Sequence, residues 1–436
     1  FMFRTLKDAF QIKEMRHRIF YVLFILVVIR VGSKIPVPGV DKSFFRYYFN
    51  QKSNDAFAFL NAFTGGSLTN FSIFALSITP YITSSIIIQL LTIAIPKLEE
   101  MKRDGEGGYK KLAALTRYLT VGLALLESIG MCIGFGKRLI LELNAINIIV
   151  VVTSLTTAST FLLWIGEQIN DKGVGNGISM ILLFNILSRI PVDIITLFEK
   201  FVKRKTIVKA IVSGIVIAVI ILAVTVLVLI LNEAERRIPV QYSKKMRSKI
   251  VDGQFSHIPL KVNTAGAIPI IFASSIMSFP VIIVTFTGKM LGKWGRKIIT
   301  MLSSSNWFKP NDWFSSIGLI LYVVLVFFFA YFYTSVTFNP IEVADNIKKQ
   351  GGFIPGIRPG KATANFLHSV LEHIIFIGTI GLVIVSVIPF FFNGMFNADV
   401  SFGGTALIII VSVILETLKQ MESMMLIRNY KGFLNN

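Results

Sequence analysis

The chain has 436 residues, 53% of them hydrophobic and only 16% charged, whereas a soluble domain carries about 25% charged residues. Its 44 Lys and Arg outnumber 24 Asp and Glu, a formal charge of +20. These figures exclude an ordinary soluble domain. The ten-residue alternation of a transmembrane β-barrel is absent.

A basic, amphipathic N-terminal stretch leads into a full apolar run at 19–35, not the short apolar core and cleavage site of a signal peptide. Nine further runs follow at 72–95, 117–136, 146–168, 175–197, 207–231, 266–286, 314–336, 368–391 and 403–420. A helix needs about 20 apolar residues to cross the hydrocarbon core. The sequence therefore predicts an all-α polytopic membrane protein with ten transmembrane helices and both termini on one side. With the N-terminus inside, the inner side carries 26 Lys and Arg and the outer side 18. The most basic regions, 2–18, 96–117 and 232–265, then lie inside together.

Residues 56–95 contain no Asp, Glu, Lys or Arg. One span uses about half of that length. The rest suits a short re-entrant piece at 61–70, NAFTGGSLTN, where Gly65 and Gly66 permit a tight turn. A plain outer loop that lacks charge is the alternative. Pro80, inside the 72–95 span, predicts a kink. The seventh span repeats the local pattern: SITPYITSSII (77–87) against GAIPIIFASSIM (266–277). Each lies in the second span of a five-span half, the pointer to inverted repeats around a midplane pathway. The halves divide as 1–200 and 201–436.

Ionisable residues inside the spans are scarce. Glu127 is the clearest, and Glu372, His373 and Glu416 lie nearer the inner ends. A carboxylate in a membrane is a functional candidate, but Glu127 also suits a structural bond to Gln89 or to serines of a neighbouring helix. Cys132 is alone, so no intrachain disulfide is possible. GVGNG (173–177) lies in a short link between spans, where a tight turn is expected, not a phosphate cradle. No nucleotide-binding loop, metal-ligand cluster or hydrolytic triad is evident, so neither enzyme activity nor a cofactor is expected. Two inner connections are long. Residues 232–265 carry Arg236, Arg237, Lys244, Lys245, Arg247 and Lys249. Residues 338–367 carry Lys348, Lys349, Arg358 and Lys361, with QGGFIPGIRPGKAT (350–363) predicting a turn-rich protrusion and not a helix. Their charge fits a docking surface or simple positive-inside retention.

Four stretches carry a family resemblance: SIFALSITPYITSSIIIQ (72–89), GEQINDKGVGNGIS (166–179), IPLKVNTAGAIPIIFASSI (258–276) and NPIEVADNIKKQGGFIPGIRPGKAT (339–363). In these the chain resembles the SecY family of protein-conducting channel subunits along nearly its whole length. It departs from the family at Ser77, where glycine is usual, and in KKMRSK (244–249), where relatives carry more arginine.

The resemblance implies two halves closing like a clamshell around an hourglass pore, in the cytoplasmic membrane with both termini cytoplasmic. It implies an aliphatic pore ring of Ile82, Ile86, Leu182, Ile186, Ile271 and Ile409. The pairs 82/86 and 182/186 are spaced i, i+4, on one helix face each. A narrow apolar ring dewets and so holds back ions. It further implies a plug formed by Asn61, Thr64, Gly65, Gly66, Ser67, Leu68, Thr69 and Asn70. A lateral gate is expected between the second and third spans and the seventh and eighth, with Ser85, Gln89, Glu127, Ser274 and Ser275. The implied partners are the small membrane subunits SecE and SecG, the SecA ATPase, the translating ribosome with its RNA, signal peptides, unfolded polypeptides and lipid. A secondary transporter built on inverted repeats, or a membrane scaffold, is the competing reading.

Overall fold

The computed structural model describes residues 2–41, 61, 63–136, 140, 144–201, 207–242, 256–287, 293–303, 307–308, 313–396 and 404–434. Its helices are α1 (Met2–Gln11), α2 (Lys13–Gly32), α3 (Thr79–Ala94), α4 (Pro96–Arg103), α5 (Glu106–Phe135), α6 (Ala145–Lys172), α7 (Gly177–Phe201) and α8 (Ile207–Glu233). Strands β1 (Glu235–Tyr242) and β2 (Ser256–Lys261) intervene, followed by α9 (Ile268–Thr287), α10 (Lys293–Leu302), α11 (Ile317–Thr337) and α12 (Pro340–Lys349). Strand β3 (Gly352–Phe353), α13 (Lys361–Phe396) and α14 (Gly404–Leu434) complete the order.

Each of the ten predicted spans falls on a helix. Among the described residues, six are long and apolar enough to cross a membrane on length and composition alone, seven if the bent α3–α4 pair counts as one. Charged residues interrupt α2 and α14, whereas α9 carries none from Ile268 to Thr287. The helices are apolar on both sides, as a lipid solvent requires. In α2, Val22, Ile25, Leu26 and Ile29 are buried, whereas Phe20, Leu23, Phe24, Val27 and Val31 are exposed. Buried hydroxyls bond back to their own helix: Thr120 Oγ1 donates to Thr116 O at 2.7 Å and Ser84 Oγ to Pro80 O at 2.7 Å. This satisfies polar groups where no water is at hand.

The second span departs from expectation. Helix α3 starts at Thr79, and Pro80 occupies its first turn, where a missing N–H has no helical acceptor to lose. Pro80 therefore starts the helix and does not kink it. The preceding chain forms turns and a short antiparallel bridge: Ile73 N donates to Ile35 O at 2.9 Å and Val37 N to Phe71 O at 3.1 Å. Helix α9 begins the same way, with Pro269 as its second residue. The matched prolines of the two halves thus mark two helix starts. At the far end of α3 the chain breaks before Pro96 and α4 turns away by 102°.

Helices α1–α7 pack against helices α8–α14 in several places. On one side α5, which also packs on α3 and α6, packs against α9, and α9 against α11. On the other, α7 packs against α8 and α14. There Thr417 Oγ1 of α14 lies 3.6 Å from Met180 Sδ of α7.

The long connections carry strands and a helix that the sequence reading does not assign. Strands order as β2-β1-β3, all antiparallel. In ERRIPVQY, Ile238 and Val240 point inward while Arg236, Arg237 and Pro239 are exposed, the alternation of a strand with one buried face. Ile238, Val240 and Leu260 pack with Ala344 and Ile347 of α12 and with Ile354, Ala364 and Leu367. The 338–367 connection is thus partly helical, with α12 ahead of the turn-rich 350–363 stretch. Asn339 Oδ1 accepts from Ile341 N (3.1 Å) and Glu342 N (3.5 Å), and Pro340 follows as the first residue, a start signal for α12. The turn-rich reading holds for 350–360, and Lys361 already belongs to α13.

Candidate functional site

One apolar cluster is built from α2, α6, α7, α14 and the segment before α3. Leu182 and Ile186 of α7 and Ile409 of α14 are buried in it. Ile82 of α3 and Ile271 of α9 are half-buried and pack against it. Five of the six residues expected in the ring therefore converge from four helices. Ile86 does not join them. One turn further along α3, it is buried in the adjoining cluster with Ile270, Phe272, Leu407 and Val411, and Ile82 touches both. The i, i+4 spacing put Ile82 and Ile86 on one face, but α3 passes from one cluster to the next within that turn.

Phe63 and Ile78 belong to the same cluster. The described residues of 61–70 are thus packed inside the chain, as a compact self-bonded turn. Gly66 N donates to Asn61 O (3.0 Å), Thr69 N to Asn61 Oδ1 (3.2 Å), Leu68 N to Thr64 Oγ1 (3.3 Å) and Asn70 Nδ2 to Gly66 O (3.3 Å). Ser67 Oγ is buried without a hydrogen bond to any described residue. Gly65 has φ +65, and a Cβ there would lie 2.9 Å from Ser188 Oγ and 3.0 Å from Asn185 O, so neither the conformation nor the space suits a side chain. Side chains from α2 and α7 hold it, and Ser188 Oγ also lies 3.5 Å from Gly65 O. Asn185 Nδ2 donates to Phe63 O at 3.0 Å, Arg30 Nη1 to Gly65 O at 3.1 Å and to Ser188 Oγ at 3.2 Å.

At the α5–α9 seam the expected polar residues do not form one network. Gln89 Nε2 donates to Ser85 Oγ, one turn earlier in α3, at 3.3 Å. Its amide is thereby engaged within its own helix, and the proposed Gln89–Glu127 bond is not made. Glu127 lies in a half-buried ribbon of α5 with Leu119, Leu123 and Gly130, and has no hydrogen bond or ion pair to a described residue. Ser274 is buried and Ser275 half-buried on α9. A polar link from α4 to α11 joins the two halves: Lys102 Nζ donates to Val336 O at 3.5 Å.

GVGNG forms the expected tight turn between α6 and α7. Gly177 N donates to Asn170 Oδ1 at 2.7 Å. The motif's amide is thus engaged within the turn.

The SecY family profile matches residues 72–418. Protein translocase subunit SecY of Bacillus subtilis is 41% identical, with both chains covered in full. That of Bacillus licheniformis is 40% identical over the same full coverage. The chain belongs to the SecY family.

Solved structures agree on the fold. A structure described as a protein conducting channel superposes with a TM-score of 0.62 over 94% of this chain and 92% of that one, at 18% identity. One described for the plug domain of a SecY protein gives 0.64 at 17% identity, with the same coverage. Sec61 in the canine ribosome-channel complex gives 0.58 at 18%, again over 94% and 92%.

In this SecY-family chain the basic residues of the long connections collect on the β-sheet cap. Arg236, Arg237, Lys348, Lys349, Arg358 and Lys361 are all exposed. Arg237 Nε is paired with Glu235 Oε1 at 2.7 Å, and this bond holds the Glu235 carboxyl below its ordinary range. Arg358 sits between Gly356 (φ +82) and Gly360 (φ +101), and its carbonyl accepts from Thr363 Oγ1 at 2.9 Å. Lys244, Lys245, Arg247 and Lys249 lie outside the described residues.

Sequence reasoning missed Arg30, Asn185 and Ser188. Arg30 had a signal, a cation within the first predicted span. Asn185 and Ser188 had none, because an uncharged polar residue in an apolar run has many uses.

Proposed function

We propose that this chain is the protein-conducting channel of a SecY translocase. It passes unfolded secretory polypeptides across the cytoplasmic membrane and releases apolar segments sideways into lipid. The observation that carries this reading is the convergence of Ile82, Leu182, Ile186, Ile271 and Ile409 on one cluster that also takes Phe63 from the buried 61–70 turn. Aliphatic side chains in a narrow passage exclude ions by dewetting yet yield around a passing chain. The 61–70 turn is the plug. The halves 1–200 and 201–436 open about the α7–α8/α14 seam, and the α5–α9 seam is the lateral gate, with Ser85, Gln89, Glu127, Ser274 and Ser275 along it.

The chain itself performs no bond chemistry. The driving force comes from SecA, a translating ribosome or the membrane potential. These partners meet the cap, whose Lys and Arg suit ribosomal RNA phosphates or an acidic protein face. SecE and SecG complete the membrane complex, and both termini are cytoplasmic. Family membership sets aside the transporter and scaffold alternatives. Reconstitution into vesicles with and without SecA and ATP tests the reading. A secretory precursor should become protease-protected only when both are present. Failure both with SecA and ATP and with translating ribosomes would overturn it.

A further inference from the structure

We infer that Ser77 sets how firmly this channel is shut, by aiming the Asn185 amide that holds the plug. The inference rests on the channel reading above. Ser77 has φ +51, in the left-handed region that disfavours any residue with a Cβ. A serine there gains something that glycine cannot supply. Its Oγ lies 3.1 Å from Asn185 Nδ2, and the same nitrogen lies 3.0 Å from Phe63 O. An amide NH2 has two hydrogens. One goes to the Ser77 hydroxyl and the other to the plug backbone. Ser77 is itself anchored, because its carbonyl accepts from Ser159 Oγ of α6 at 3.0 Å. Ser77 and Asn185 are both buried, so water does not replace the hydroxyl cheaply.

Arg30 supplies a second point of attachment, on Gly65 O. Ser188 braces it: its Oγ accepts from Arg30 and donates to Asn185 O at 2.7 Å. Both attachments end on backbone carbonyls of the plug. They therefore hold its shape and not its side chains, and they break together when the plug leaves. Ser77, Asn185 and Arg30 are positioning residues of the closed state.

The test is resting ion flux through the reconstituted channel complex. Ser77→Gly relieves the backbone and should melt at the same temperature as the parent or higher. Its resting flux should rise about fivefold, the factor given by one hydrogen bond of ordinary net strength. Asn185→Leu and Arg30→Met should leak at least as much, and Arg30→Lys should restore part of the seal. In a channel lacking 61–69, the same substitutions should leave flux unchanged, because nothing remains to be held. Parental flux in both Ser77→Gly and Asn185→Leu would overturn the inference. So would an equal increase from these substitutions when 61–69 is absent. A wild-type complex that fails to translocate a precursor would instead defeat the channel reading.

Discussion

Gly177, the first residue of α7, packs so closely on Gly166 of α6 that a Cβ on it would overlap the Gly166 carbonyl. The contact fixes how two helices of the N-terminal half leave their shared turn, and Leu182 and Ile186 follow within three turns. Gly177→Ala should destabilise the protein by about 1–3 kcal/mol through overpacking. Gly214→Ala, in α8 where a Cβ meets nothing within 4 Å, should be neutral or slightly stabilising. Thermal melts of the two purified variants check the contrast. Equal melting temperatures would refute it.

The apolar cluster separates residues that spacing alone treated alike. Ile82→Asn and Ile271→Asn should wet the constriction, raise ion conductance and admit precursors with defective signal sequences. Ile86→Asn should conduct less than Ile82→Asn, because Ile86 is buried in the neighbouring cluster. It should cost more stability instead, an unpartnered amide in a core being worth about 1–3 kcal/mol. Single-channel recordings beside melts of the three variants decide between ring and core.

Deletion of 61–69 should leave an inserted, folded protein with a standing leak. The segment bonds mainly to itself, and its outside attachments number few. Loss of the buried Phe63 and Leu68 should lower the melting temperature by several degrees. Failure to insert would make the segment a structural element and remove the plug reading.

Arg358 should matter beyond its charge. It is exposed, and turns at Gly356 and Gly360 flank it on the cap. Arg358→Glu should weaken binding of SecA or of ribosomes and impair translocation, with helices and topology intact. Arg358→Lys should be partly defective if a planar guanidinium is what the partner reads. Binding assays on reconstituted variants, with a topology assay alongside, distinguish this from positive-inside retention. Normal binding by Arg358→Glu would leave retention alone.

The spans were legible because each is a local property: about 20 apolar residues must form a helix in lipid whatever their neighbours do. The tight turn at GVGNG was likewise legible. The cap was not, because ERRIPVQY and SHIPLK are short and each needs the other as a partner before its alternation has meaning. Pro80 was read as a kink because hydropathy carries the apolar run back to Ser72, whereas the helix begins only at Thr79.

By itself the sequence determined that the chain crosses a membrane about ten times, that its halves share a pattern around Pro80 and Pro269, and that 56–95 lacks charge. Only the tertiary structure decided that Ile86 is buried in the cluster adjoining the one that holds Leu182 and Ile409, that Gln89 turns to Ser85 and not to Glu127, and that Arg30 and Asn185 reach the same turn. Arg30 and Gly65 are 35 residues apart, and Asn185 and Phe63 are 122 apart. A hydrogen bond depends on distances of tenths of an ångström and on direction. No period or composition along the chain carries that information, because it arises only when separate helices pack and bring the two groups together.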